Sequence, residues 1–209
     1  MSDPAEIEAL FTRADGTFLF ARWGRPIVPV VFGVEDATVS ILKGAIEAVV
    51  ALADHKMAEH DPELGANLMV FFIREWDELT GVPGLDRLIP DLGPLVERLK
   101  GADANQYRSF RFDPDGGIKA AFVFVRMDDA MSAAPAETIA LSQVVQTILL
   151  WSDQAFLGTS PLAVLENGAA VLRPDIADVI RAGYDPILPV ASTEPAMALR
   201  LSARIGALQ

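Results

Sequence analysis

The chain of 209 residues contains no cysteine. Disulfides and cysteine-held metals are therefore excluded, and the composition fits a reducing compartment. Positive charge is scarce: 17 Lys and Arg face 29 Asp and Glu, for a net charge of −12 and a pI near 4.5. Such a chain repels phosphate backbones, so nucleic acid is not expected as a partner. No apolar run approaches the roughly 18 residues of a membrane span. The opening residues MSDPAEIEAL lack the basic and apolar segments of an export signal, so a cytoplasmic location is expected. No P-loop or Gly-x-Gly-x-x-Gly fingerprint occurs. Ser142 and Ser160 both lack a Gly-x-Ser-x-Gly setting, which argues against a serine hydrolase.

What is present is apolar. Hydrophobic residues make up 51% and the mean hydropathy is +0.30. A globule of this length buries roughly 70–75% of its unfolded surface and needs no covalent staple. Some apolar surface could also be buried between copies, so a homo-oligomer is compatible with the composition.

Asp3 followed by Pro4 predicts a capped N-terminal helix with Ile7, Leu10 and Phe11 on one face. Phe18 to Arg22 and Ile27 to Phe32 read as strands, the second buried. The apolar stripe from Ile41 to Met57 predicts one long helix over 36–60. Asn67 to Ile73 reads as a buried strand, and 75–100 as an irregular excursion with a helical turn over Pro94 to Leu99. Tyr107 to Phe112 and Ile118 to Met127 form a hairpin through Asp113-Pro114-Asp115-Gly116-Gly117. The second hairpin strand is apolar on both faces, which predicts cover on both sides. Helices follow at Ala136 to Leu150, Pro174 to Gly183 and Glu194 to Leu208. Strands come first and helices last, as in one α+β domain over 1–209.

The most informative stretch is Glu137 to Asp153. Residues four apart on a helix share one face, so two histidines at i and i+4 can grip one zinc ion. A glutamate after the first histidine would serve as general base. On that template the histidine positions hold Ser142 and Gln146, and the glutamate position holds Gln143. Neutral serine and glutamine are weak zinc ligands, and glutamine cannot take a proton from water. This helix and the turn after it resemble those of the metzincin zinc proteases, in which a third ligand follows the helix. The resemblance implies that this ligand would fall at Ser152, beside Asp153. Considered alone, the helix is first an amphipathic core helix, with these polar residues on its solvated edge.

Three features downstream add to the template. Leu150-Trp151-Ser152-Asp153 looks like a turn that follows ligand helices, and Ser160-Pro161-Leu162-Ala163 stands where a methionine turn would lie. Leu172 to Pro186, with Pro174-Asp175-Ile176 and Tyr184-Asp185-Pro186, looks like a closing helix. From Glu137 onward the chain therefore resembles the metzincin and matrixin-like zinc proteases, and more closely a bacterial zincin-like family of unknown function. The resemblance implies a zincin-like α+β fold. Its mixed twisted sheet, of about four or five strands, would pack against the long helix and the degenerate ligand helix, with a helical C-terminal part. It also implies that the zinc chemistry is lost. No cofactor and no catalytic residue is expected, and the domain becomes a pseudo-metalloprotease that binds a protein or peptide. Ile118 to Met127 would form the cleft wall, with Phe122, Phe124 and Arg126 as the cleft strand.

Other clusters have blander alternatives. Asp54, His55, Glu59, His60 and Asp61 include the only two histidines; a metal site there competes with the polar end of a helix. Arg22, Trp23 and Arg25 could hold an anion or form a turn. Glu75, Asp77 and Glu78 beside Arg74 and Trp76 could do acid–base work or form a solvated loop. The alternatives to a dead cleft are an oligomer-forming structural subunit and an enzyme of another class using Glu75, Asp77, Asp128 and Asp129.

Overall fold

The computed structural model describes residues 3–208, so Met1, Ser2 and Gln209 of the expected domain lie outside the described residues. The chain runs α1 (Pro4–Phe11), β1 (Phe20–Ala21), β2 (Pro29–Phe32), α2 (Asp36–Leu52), β3 (Leu68–Ile73), a 3-10 turn (Trp76–Gly81), α3 (Leu85–Leu88) and α4 (Leu92–Gly101). It continues through β4 (Gln106–Phe112), β5 (Ile118–Arg126), α5 (Asp129–Ala133), α6 (Ala136–Ile148), β6 (Leu162–Val164), β7 (Ala170–Leu172), α7 (Pro174–Gly183), β8 (Ala191–Ser192) and α8 (Ala196–Leu208). Among the described residues no helix is long and apolar enough to cross a membrane.

The architecture is α+β around a mixed four-stranded sheet of order β2-β3-β5-β4. β2, β3 and β5 are parallel, and β4 returns antiparallel to β5. Alternate residues of a strand point to opposite faces. Ala121, Val123 and Val125 of β5 join the core formed by α1, α2, α6, α7 and α8. Ala120, Phe122 and Phe124 join a second core under α3, α4 and the 3-10 turn. The doubly apolar strand is covered twice, as its sequence requires.

Two expected elements differ. The long helix stops at Leu52 rather than continuing to residue 60. Asp54 takes a left-handed conformation with φ 50°, which ends the helix. The segment beyond it pairs with Ile27 instead, through Ile27 N–H to the Lys56 carbonyl and Ala58 N–H to the Ile27 carbonyl. Met57 thus stays partly buried in non-helical geometry. β2 forms a sheet edge rather than a buried strand, and Phe32 is 44% exposed.

A polar hub ties the start of this sheet together. Asn67 is fully buried; its Oδ1 accepts from Val28 N–H at 2.8 Å, and its amide donates to the Pro26 carbonyl and to Asp61. Asp61, 3% exposed, also accepts from the Glu63 and Leu64 N–H groups and from Arg25. Arg25 in turn grips Asp113 of the hairpin turn. Burial alone would raise the Asp61 carboxyl. The Leu64 and Glu63 N–H groups, Asn67 and Arg25 outweigh it and hold the pKa at about 2.

α6 ends without a glycine. Its last carbonyls are taken by side chains instead. The Trp151 indole donates to the Val145 carbonyl at 2.8 Å, the Trp23 indole to Thr147 at 2.9 Å, and the Tyr184 hydroxyl to Ile148 at 2.8 Å. Tyr184 also accepts from Trp23 N–H, and its burial pushes the phenol well above its usual range.

Two outcomes follow from these networks. Asp61 has a folded pKa below its ordinary 3.8, so its contribution is complete above that value and is lost as pH falls toward about 2. Urea unfolding of Asp61→Asn is expected to show a loss of about 2–4 kcal/mol at pH 7, and the gap to the wild type should narrow below pH 4. Tyr184→Phe leaves the Ile148 carbonyl without its donor and should cost about 1–3 kcal/mol by the same measurement.

Candidate functional site

α6 carries the template residues at the expected spacing. Gln146 Nε2 donates to Ser142 Oγ at 2.9 Å, so the two positions meet on one helical face. Gln143 is 2% exposed and faces β4. Its Oε1 accepts from Arg108 Nη2 at 2.6 Å, and its Nε2 donates to Gln106 Oε1 at 3.1 Å. Arg108 Nη2 also reaches Gln106 Oε1, at 2.8 Å, which closes a three-residue network between helix and strand.

Beyond α6 the chain is held in place by α1 and the loop after it. Ser152 N–H donates to the Leu10 carbonyl at 2.8 Å, and Asp153 accepts from Ala14 N–H at 3.0 Å. Gln146, Ser152 and Asp153 consequently line one cleft of about 430 Å³. Its other wall is β4, through Gln106, Tyr107, Arg108 and Phe110, and Trp151 and Phe156 lend it an apolar side. Ser142 and Gln143 connect to this cleft through Gln146 and Arg108. Other clefts reach about 420–450 Å³, so chemistry rather than size distinguishes this one.

The cleft wall is β4 and not β5, which corrects the expected strand at Ile118–Met127. β5 is paired with β3 on one side and β4 on the other, so neither of its edges can accept a further segment. Phe122 and Phe124 point into the second core. Arg126 pairs with Asp103 at 2.6 Å and with Asp128 at 3.7 Å. β4, by contrast, is an edge. Arg126 N–H donates to the Asn105 carbonyl at 2.8 Å, which fixes the alternation of the antiparallel ladder. Gln106, Arg108 and Phe110 then turn their N–H and C=O groups away from β5, and their side chains lie on the α6 face.

The remaining candidates are occupied with structural work. Trp23 is buried, Arg25 belongs to the Asp61 hub, and Arg22 lies over the Tyr184 ring at 5.6 Å. His55 Nε2 lies 2.9 Å from the Arg25 carbonyl, and burial lowers its pKa, so the neutral ring donates there. Glu59 faces a different cleft, beside Pro29 and Lys43. Among the described residues no group of three or more His, Asp or Glu could hold a metal ion. Glu78 accepts from the Arg74 and Glu75 N–H groups, Asp77 pairs with Lys100, and Asp128 caps α5 through Met131 N–H. The structure does bring Glu75, Asp128 and Asp129 together, in a cleft with Arg74 and Arg126. Ser160 Oγ accepts from Leu162 N–H within a turn.

Sequence reasoning missed Gln106, Arg108 and Arg13, which also line the cleft beside α6. One signal was available. Arg108 alternates with Phe110 on the face of β4 that meets α6, where an unpaired cation is out of pattern. Compared with known proteins, the chain matches no family model, no curated protein and no solved structure.

Proposed function

We propose that the protein is a non-catalytic zincin-like domain, a pseudo-metalloprotease whose cleft holds an extended segment of another protein or a peptide. The observation that carries this reading is the meeting, in one cleft, of Gln146, Ser152 and Asp153 with the edge strand β4. A zinc protease needs ionisable ligands and a base at these positions; Ser142, Gln143, Gln146 and Ser152 supply neither. What the cleft retains is its capacity to bind. An edge strand offers main-chain donors and acceptors to an extended chain, and flanking pockets sort its side chains. Gln106 and Arg108 offer both groups and Phe110 its N–H, while the Phe110 carbonyl already accepts from Arg111 Nη1 at 3.1 Å. Trp151 and Phe156 form an apolar side next to them.

Two experiments test the two halves of this reading. Ser142→His, Gln146→His and Ser152→His in one chain should restore a three-histidine zinc site. Elemental analysis of the purified variant is expected to give about one zinc per chain, against less than about 0.1 for the wild type. A folded triple variant without zinc would show that the template is misplaced. Separately, peptides enriched by the wild-type protein from a displayed random library should slow amide exchange at Gln106, Arg108 and Phe110. Tyr107 and Ser109, whose amides already face β5, should change little.

A further inference from the structure

The reading of a peptide cleft leaves one group unexplained, the guanidinium of Arg108. Among the described residues four arginines bury an Nε that has no hydrogen-bond partner: Arg22, Arg108, Arg126 and Arg204. Arg126 is compensated by Asp103 and Asp128, and Arg204 by Asp185. Arg22 donates to the Leu188 carbonyl and lies over the Tyr184 ring. Arg108 has only neutral acceptors, the side-chain oxygens of Gln106 and Gln143, and both are taken by Nη2. Among the described residues its side-chain hydrogen bonds both start from Nη2, and Nη1 is not one of the buried atoms left without a partner, so Nη1 keeps contact with solvent. A desolvated cation without an anion is an expensive arrangement in a fold. Burial brings the Arg108 pKa down to about 10, which still leaves it charged at neutral pH.

Arg13 stands at the same cleft, exposed and with no carboxylate within 4.0 Å among the described residues. Asp153, the acidic residue lining the cleft, has one oxygen committed to Ala14 N–H. Asp15, near Arg13, accepts from Thr17 N–H. The cleft therefore presents two cations, neither of them ion-paired within 4.0 Å among the described residues, beside the single carboxylate of Asp153.

We propose that the segment laid along β4 carries an aspartate or glutamate whose carboxylate takes Nη1 of Arg108, with Arg13 attracting it at the rim. This rests on the peptide-cleft reading and adds the class of side chain the cleft selects. The partner is an extended acidic segment. The field of the whole chain repels it at a distance, so the preference resides in contact with Arg108 rather than in long-range attraction. A charge-assisted bond to a desolvated guanidinium is stronger than one to a neutral donor.

The test uses a library of random peptides displayed with their C-termini fused, so that every carboxylate selected comes from a side chain. Wild-type protein is expected to enrich sequences with Asp or Glu at one fixed position. In a synthetic copy of an enriched peptide, replacing that residue by its amide should weaken binding about tenfold or more, followed by calorimetry. Arg108→Gln should bind the acidic and amide peptides alike, and circular dichroism reports whether this variant is folded. If binders are enriched without an acidic position, or the amide peptide binds as well on wild type, the carboxylate inference fails while the peptide cleft stands. If no sequence is enriched, the cleft reading fails with it. A capped amide peptide that binds only when its C-terminus is freed would overturn the side-chain assignment. The wild-type comparison of acid and amide decides the matter even if Arg108→Gln does not fold.

Discussion

The last turn of α6 is the constraint on which the site depends. A helix C-terminus leaves carbonyls without partners, and most helices end on a glycine or in water. Here Trp23, Trp151 and Tyr184 cap three of them from three separate parts of the chain. Each cap is also a tether. Trp23 brings in the segment after β1, Tyr184 brings in the end of α7, and Trp151 folds the exit of α6 back onto its own helix. The exit is thereby aimed along β1 and α1, with Leu150 N–H on the Ala21 carbonyl and Ser152 N–H on Leu10. Ser152 and Asp153 reach the cleft because the helix is finished by aromatic donors rather than released into a flexible turn.

The sheet supplies the opposite wall by a similar logic. A strand apolar on both faces must be covered twice and flanked on both edges. β5 occupies the centre beside β3, and β4, reached through the tight Asp113–Gly117 turn, is left at the rim. The parallel strands and the helices on one side make a rigid support. The three-residue network of Gln106, Arg108 and Gln143 then sets the spacing between support and rim. Gln143 thus acts as a strut between α6 and β4.

Much of this was legible in the chain. Asp3-Pro4 marked the start of α1, the Asp-Gly-Gly turn marked the hairpin, and Pro174 and Gly183 bounded α7. The exit of α6 could be placed, but not what caps it, because two of its three donors lie 124 and 36 residues away from the carbonyls they meet. The end of α2 was overestimated because the apolar stripe runs on to Met57, and periodicity does not reveal a left-handed aspartate. The β6–β7 hairpin went unread although Asn167-Gly168 marks its turn, with Gly168 at φ 82°. The cleft strand was placed on the wrong hairpin arm for a more basic reason. Pairing of β4 with β5 is local and readable, whereas the docking of β3 on the far edge of β5 is set by long-range packing. Of the site residues, the helix positions followed from spacing; Arg108 depended on a partner 35 residues distant.

An exposed edge strand is ordinarily a hazard, since identical copies can add to it one after another. β4 carries its own remedy. Two copies joined antiparallel through Gln106, Arg108 and Phe110, centred on the middle residue, would set one Arg108 directly opposite the other, and like charges across a ladder disfavour pairing. A guanidinium at the middle of the exposed edge therefore disfavours self-addition of the strand. Neutralising it would remove that barrier to self-addition.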